Sequence, residues 1–165
     1  MSEERIAEIG QYLTFTLGDE AFALEISKVR EVVDYTSITR VPRMPAYLCG
    51  VVNLRGNVVS VIDLRLKLGM RATVKTEDTC IVITEINMEE SVLQMGVLTD
   101  SVQEVIFFGS DHIEPPPTVG IKLNPEFIRG IGKRNDSFVI ILNIDKVLSK
   151  HESATISEGR ESLEP

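Results

Sequence analysis

A weak internal repeat restricts the fold of this sequence more than any other feature. The segment VREVV at 29–33 matches VQEVI at 102–106, at a spacing of 73 residues. YLCGV at 47–51 matches FIRGI at 127–131 at a spacing of 80, so the second copy carries about seven additional residues. Glutamate, glycine and proline positions agree as well as apolar ones. This agreement indicates a degenerate duplication rather than chance similarity between strands.

Most of each copy is predicted to be strand. Residues 11–17 (QYLTFTL) alternate between two faces, and 21–24 return after a turn. At 50–65 (GVVNLRGNVVSVIDLR) two apolar runs flank a small polar centre, which predicts strand, turn and strand. The second copy repeats this pattern with predicted strands at 79–86 and 92–98.

Short helices are predicted between these strands. Apolar residues at i, i+3 and i+7 predict a helix over 26–33, and the repeat predicts a matching helix over 99–106. Residues 64–69 read as one helical turn that Gly69 closes.

The expected architecture is mainly β, with two tandem five-stranded barrels. Units of about 70 residues with this content are typical of small barrels. We predict one domain at 11–150, made of a first barrel at about 11–75 and a second at about 76–150, whose end strands can be exchanged. One such barrel alone buries too little surface, so the two should share an apolar seam, a natural site for a partner. Residues 1–10 and 151–165 are expected to be flexible tails.

Composition excludes several function classes. The net charge is −8, which disfavours nucleic acid and anionic lipid as partners. No apolar run approaches the roughly 20 residues of a membrane helix, and the first ten residues lack the apolar core of a secretory signal. The expected location is therefore the cytoplasm. Cys49 and Cys80 are interpreted as two buried, reduced thiols.

No catalytic or metal-binding constellation is evident. His112 and His151 are the only histidines and have no second ligand near them, so no metal and no cofactor are predicted. Asp63 is matched by Asn143 at a spacing of 80. That pair favours capping of a helical turn over acid catalysis. The sequence therefore predicts a protein that is not an enzyme.

The tip of the 50–65 hairpin is the clearest difference between the two copies. Its scaffold recurs 80 residues later, but Leu54-Arg55-Gly56 does not. Arg55 is either an exposed turn cation or a contact residue. Glu31 and Glu104 match each other in the repeat. Each is either a solvated side chain or a contact residue.

The sequence of this hairpin and of the segments around it resembles the CheW family, the coupling proteins of bacterial chemotaxis. GVVNLRG at 50–56 followed by VSVIDLR at 59–65 is similar to that family's signature hairpin, and the resemblance runs in order over about 11–149. It implies two SH3-like barrels and no catalysis. It further implies an adaptor, a monomer when isolated, that is recruited to membrane-associated receptor arrays without inserting into the membrane.

The resemblance also implies partners and contact residues. Chemoreceptor tips would dock between the barrels, and the regulatory domain of the histidine kinase CheA would dock on the outer end of the first barrel. The implied receptor-binding residues are Ile26, Val29, Glu31, Gly50, Leu54 and Arg55. The implied kinase-binding residues are Ile38, Val41 and Met44, and Val119 would make a second kinase or ring contact. The alternative is a paralogous module that binds the same partners, such as a kinase regulatory domain or the front half of a CheV-type protein.

Overall fold

Strands dominate the chain, as the alternating sequence predicts. The computed structural model describes residues 10–88, 90–116, 123–148, 152 and 156. The strands are β1 (Gln11–Leu17), β2 (Glu20–Glu25), β3 (Val29–Asp34), β4 (Leu48–Leu54), β5 (Asn57–Asp63), β6 (Cys80–Asn87), β7 (Val92–Thr99), β8 (Ser101–Phe107), β9 (Ile113–Glu114), β10 (Ile128–Arg134) and β11 (Ser137–Leu142). The helical turns are α1 (Leu64–Lys67), α2 (Ile144–Val147) and the 3-10 turns Ile26–Lys28, Ser110–His112 and Pro125–Phe127.

The strands form two sheets with the same order of equivalent strands. One sheet runs β3-β6-β7-β5-β4 and the other runs β8-β1-β2-β11-β10-β9. The repeat makes β1 equivalent to β6, β2 to β7, β3 to β8, β4 to β10 and β5 to β11. With these equivalences the two orders agree for five strands, and the short strand β9 adds a sixth beyond β10. Each sheet closes into an SH3-like barrel. The predicted duplication is therefore visible in the topology. We call the barrel of β3–β7 the first barrel and the other the second barrel.

Each half of the chain gives its first hairpin to the other half's barrel. The hairpin β1–β2 lies in the second barrel and the hairpin β6–β7 lies in the first. The barrels therefore do not follow the sequential division at residue 75, and the exchange that the sequence left open takes place.

Short connections explain this exchange. In a barrel without exchange, β2 and β3 would be parallel strands on either side of β1. The chain would have to return along a strand of about 20 Å. Only Ile26–Lys28 separates β2 from β3, and three residues span at most about 11 Å. Asp100 alone separates β7 from β8, so the same restriction applies in the second half.

The predicted helices at 26–33 and 99–106 are wrong. Within 26–33 only Ile26–Lys28 is helical, and β3 occupies the remainder. Within 99–106 the chain is the end of β7, Asp100 and β8. In β3 the half-buried residues Val29, Glu31 and Val33 alternate with exposed ones, which is the period of a strand. Three apolar residues at helical spacing were too few to distinguish the two periods, and the β-branched valines favour the strand.

The largest apolar cluster joins the two barrels. Phe15 and Phe22 of the second barrel pack in the same buried cluster as Val82 and Met95 of the first. The clusters inside each barrel are smaller. We call the largest cluster the shared core. It buries the apolar seam that the repeat predicts.

An ion pair holds each of the two connections between barrels. Arg65 of α1 binds Asp100, with Nε 3.1 Å from Oδ1, and the amide of Gly18 in the β1–β2 turn donates to the same carboxylate at 2.6 Å. At the other connection, Lys28 lies 2.7 Å from Asp145 of α2, which also accepts the amide of Asn87 at the end of β6. The charges are reversed between the two places. Each pair also fixes the end of an exchanged hairpin.

Asp63 has the structural role that the sequence predicts. Its buried carboxylate accepts the amide of Arg65 at 3.1 Å and caps α1. It also accepts the amide and hydroxyl of Thr73, at 2.8 and 2.7 Å. Asn143 makes no side-chain cap to α2, so the prediction does not extend to the second copy.

Part of the predicted flexible tail is packed. Ile156 is helical and fully buried in the shared core. Glu152 lies 2.7 Å from the ammonium of Lys67, which stands 4.8 Å from the ring centroid of Tyr47. A single isoleucine gives no periodicity, so composition alone could not predict this docking. The rest of the predicted tails, apart from Gly10, lies outside the described residues.

Candidate functional site

The tip of the β4–β5 hairpin places Arg55 in an unusual backbone conformation. Arg55 and Gly56 have φ values of 51° and 88°, as in a two-residue type I′ turn. The side chain of Asn53 supports the turn by accepting the amide of Gly56 at 2.8 Å. Glycine adopts this region freely, but an arginine there is uncommon. The predicted turn is confirmed, and it holds Arg55 outward with its side chain 69% exposed.

Arg55 forms a two-point ion pair with Glu31. Its Nη2 binds one carboxylate oxygen, and Nη1 lies 3.3 Å from the other. The hydrogen bond from Arg55 lowers the pKa of Glu31 below its usual value. Because β3 and β4 are the two edges of one sheet, this pair joins the edges across the first barrel. We call it the edge pair.

The second barrel has an edge pair of its own. Glu104 of β8, the equivalent of Glu31, binds Arg134 at the end of β10. Arg134 is equivalent to Leu54, and Asn135, with φ 54°, occupies the place of Arg55. The Leu-Arg-Gly tripeptide does not recur, but its ion pair does. An ion pair between the equivalent strands β3 and β4, or β8 and β10, is therefore common to both copies, although β9 lies outside β10 in the second barrel. An arginine in the left-handed position is specific to the first copy.

The predicted receptor-binding residues fall into three places. Ile26 and Val29 are half-buried against the shared core, at the seam. Leu54 packs on the interior of the first barrel beside the edge pair. Gly50 is buried, and a Cβ there would lie 2.1 Å from the carbonyl oxygen of Thr39. Gly50 therefore permits a close approach of two backbones.

The predicted kinase-binding residues lie in one segment of the chain, but their side chains pack in different places. Ile38 packs against the interior of the first barrel, and Met44 packs against the shared core. Val41 lines an open cleft of about 200 Å³ with Val51 and Val58 of the hairpin. Val119, the predicted second contact, lies outside the described residues.

Sequence reasoning missed a matched pair of exposed valines. Val32 and Val105 are 41% and 49% exposed on the equivalent strands β3 and β8. Each is paired with a residue of the shared core, Val82 and Leu13 respectively, so each extends the seam outward. The signal was present in the repeat, because both copies carry valine at this position.

Groups that support other functions are absent from the part of the chain that the structure describes. No three His, Cys, Asp or Glu side chains there could hold a metal ion. No helix among the same residues is long and apolar enough to cross a membrane. Cys49 and Cys80 are free and half-buried rather than fully buried, and burial raises the pKa of Cys49 to about 12.

Comparison with known proteins agrees with this geometry. The family model of the CheW-like domain matches residues 11–152. The chain is 33% identical to chemotaxis protein CheW of Klebsiella aerogenes, over 93% of this chain and 91% of the relative. It is 36% identical to chemotaxis protein CheW of Helicobacter pylori, over 90% and 87%. The crystal structure of the scaffolding protein TtCheW from Thermoanaerobacter tengcongensis superposes with a TM-score of 0.77 at 34% identity, covering 87% of this chain and 90% of that one.

Two SH3-like barrels that share a core, with an ion-paired edge and an apolar cleft, define a protein-interaction module. The chain belongs to the CheW-like family. It is an adaptor of chemotaxis signalling and not an enzyme.

Proposed function

We propose that the chain couples the cytoplasmic tips of chemoreceptors to the histidine kinase CheA. The observation that supports this proposal is the CheW-like domain over 11–152, because the relatives that match over most of their length include proteins named chemotaxis protein CheW and a scaffolding protein. The adaptor would act in the cytoplasm as a monomer until it joins a receptor array.

The receptor side of this proposal uses the seam and the edge pair. A helix of the receptor tip would bury one face against Ile26, Val29 and Leu54, which is the helix-in-groove mode of recognition. Exposed Val32 extends the same apolar surface. Arg55 and Glu31 would set the register of that helix more than its affinity, since charges at a rim act mainly on specificity and rate. Gly50 would contribute through the backbone geometry of β4.

The kinase side uses the chain at 38–44. Val41 is the best contact candidate, because it lines the cleft and is half-buried. Ile38 and Met44 would support the surface from below, since both pack against buried clusters. Val119 on the second barrel is proposed as a further kinase or ring contact by family resemblance alone.

Reconstitution tests the coupling function. Full-length chain, CheA and a receptor cytoplasmic fragment are combined, and CheA autophosphorylation is measured with and without the chain. We expect receptor-dependent kinase activity only when the chain is present. A Val74→Glu variant is the matched control, because Val74 is 79% exposed and distant in sequence from both proposed surfaces. Receptor control of CheA that is unchanged by omitting the chain would contradict the proposal.

A further inference from the structure

Lys67 places a positive charge where the second copy of the repeat has an apolar residue. It lies on α1, and the equivalent position on α2 is Val147, which is fully buried. The side chain of Lys67 is only 13% exposed. A charge held so far from water is costly unless an anion pairs with it. The fold itself does not require a charge here, since valine serves at the same place in the other half.

Two aromatic rings that match each other in the repeat stand beside this ammonium group. The Nζ of Lys67 lies 4.8 Å from the ring centroid of Tyr47 and 5.9 Å from that of Phe127. The carbonyl of Tyr47 accepts the amide of Asp63 at 2.7 Å. That of Phe127 accepts the amide of Asn143 at 2.8 Å, so backbone hydrogen bonds hold both aromatic residues. We call Lys67, Tyr47 and Phe127 the lysine pocket, which is a preformed feature with one ring from each copy.

The anion that fills the lysine pocket comes from the C-terminal part of the chain. Both carboxylate oxygens of Glu152 accept hydrogen bonds from Lys67, at 2.9 and 2.7 Å. Ile156 follows four residues later and is fully buried in the shared core. Both residues are helical, and positions i and i+4 lie on the same face of a helix. This pair, which we call the clasp, thus offers a carboxylate to the pocket and an aliphatic side chain to the core.

The fit between the clasp and the pocket is incomplete. The buried hydroxyl of Tyr47 forms no hydrogen bond within the described residues. Burial first, and then the nearby Glu152 carboxylate, raise the pKa of that hydroxyl. A buried hydroxyl without a partner costs free energy, and water admitted by opening of the clasp would satisfy it. This penalty favours local opening of the clasp while the barrels stay folded.

We propose that the lysine pocket is a binding site for a carboxylate followed four residues later by a large aliphatic side chain, and that the chain's own clasp occupies it in a displaceable way. The occupant in trans is the same C-terminal segment of a second copy. The aliphatic side chain supplies most of the affinity, and Lys67 selects the carboxylate. This inference goes beyond the proposed coupling function. Its tests use neither receptor nor CheA, so either proposal can fail without the other.

A labelled peptide with the sequence of residues 149–160 probes the site in the full chain. Fluorescence anisotropy measures its binding to the wild type and to the full-length variant E152A/I156A, in which the clasp is disabled. We expect the peptide to bind the variant about tenfold or more tightly than the wild type, because the wild-type clasp competes at a high effective concentration. A scrambled peptide of the same composition is the control, and thermal melting confirms that the variant folds.

The role of Lys67 is tested by changing peptide and chain together. A peptide that carries Glu152→Gln should bind E152A/I156A about tenfold more weakly than the native peptide, because hydrogen bonds to a charged group are lost. Adding Lys67→Met to the chain should abolish this difference between the two peptides. Adding Lys146→Met, at an exposed lysine of α2, should leave the difference unchanged. Equal binding of both peptides to E152A/I156A would overturn the selection of a carboxylate by Lys67.

Hydrogen exchange of the wild-type chain tests the displaceable clasp without depending on the folding of a variant. Backbone amides of 149–160 should exchange about tenfold or more faster than those of the core strands β1 and β6, because they open locally. Lys67→Met should accelerate exchange in this segment alone. Exchange of 149–160 only at the rate of those strands would make the clasp a permanent part of the core and overturn the inference. A folded E152A/I156A chain that does not bind the native peptide would overturn it as well.

Discussion

Arg134 binds Glu104 from the position equivalent to Leu54, one residue before the position equivalent to Arg55. An arginine thus supplies the cation of the ion pair in both barrels, but from two positions that are not equivalent in the repeat. Because the ion pair forms from different positions in the two copies, we assign it to the barrel fold, in which it connects β3 with the end of β4 and β8 with the end of β10. What distinguishes the first barrel is the choice of arginine where the second has Asn135, a residue type better suited to positive φ.

Arg55→Glu is expected to weaken receptor binding while the melting temperature stays nearly unchanged. The side chain is exposed, and surface ion pairs contribute little to folding stability. Binding to a receptor fragment and thermal melting are measured on the same samples. Arg55→Asn is the matched variant, because asparagine suits the turn and removes only the charge. Receptor binding that survives both substitutions would make Arg55 a bystander.

The double variant E31R/R55E separates two roles of Arg55. If Arg55 acts only by joining the barrel edges, exchanging the charges restores the pair and the binding. If it contacts the receptor directly, the exchanged pair leaves binding weak, and we expect this second result. Recovery of wild-type affinity would assign Arg55 to barrel closure.

Ile38→Asp should reduce kinase binding, but much of this loss should come from unfolding. Ile38 packs against the interior of the first barrel, where an unpaired carboxylate costs about 2–4 kcal/mol of unfolding free energy. Val41→Asp should reduce kinase binding with about 1 kcal/mol or less of destabilisation, because Val41 lines an open cleft. Urea denaturation and CheA binding are measured for both. Equal loss of receptor and kinase binding in a folded Val41→Asp protein would show that the two surfaces are misplaced.

Gly50→Ala is expected to destabilise the first barrel by more than about 2 kcal/mol. Gly50 has a φ of 144°, and the added methyl group would lie 2.1 Å from the oxygen of Thr39. Gly56→Ala is the control, since it also has positive φ but meets no atom within 4 Å, and it should cost about 1 kcal/mol. Urea denaturation compares the two. If both variants lose the same stability, the close approach to Thr39 is unimportant.

Much of this fold could be predicted from the sequence because duplication and alternation are both patterns of spacing. For this reason the sequence predicts the hairpin around Arg55 and the helix cap at Asp63. The hairpin exchange could not be predicted, because it depends on how far three residues such as Ile26–Lys28 can reach in space. The edge pair of the second barrel was also missed, since Arg134 occupies a different position from Arg55 and only the structure brings it to Glu104.

The ion pair of Arg65 and Asp100 should make stability depend on pH in the acid range. Burial raises the pKa of Asp100, but hydrogen bonds from Arg65 and the Gly18 amide outweigh it and hold the pKa below its usual value. A carboxyl group with a lowered folded-state pKa stabilises the protein above its unfolded value of about 3.9, and this contribution disappears as the pH falls through the folded-state pKa. Asp100→Asn should therefore cost about 1–2 kcal/mol at pH 7.

Urea denaturation at pH 7 and at about pH 2.5 measures this dependence. The stability difference between wild type and Asp100→Asn should shrink below about pH 4. Asp136→Asn, an exposed turn residue, is the control and should change little at either pH. A difference between wild type and Asp100→Asn that stays constant with pH would mean that the Asp100 charge contributes nothing.

Ile156→Ala should destabilise the protein by about 2–4 kcal/mol, the usual cost of truncating a buried isoleucine. Ile156 is fully buried in the shared core, whereas the composition of its neighbourhood predicts a flexible tail. Because the shared core joins both barrels, the midpoint of urea denaturation should fall while the transition remains a single step. Val74→Ala, at a position 79% exposed, is the control and should change the midpoint little. An Ile156→Ala midpoint equal to that of the wild type would show that the C-terminal segment leaves the core without loss of stability.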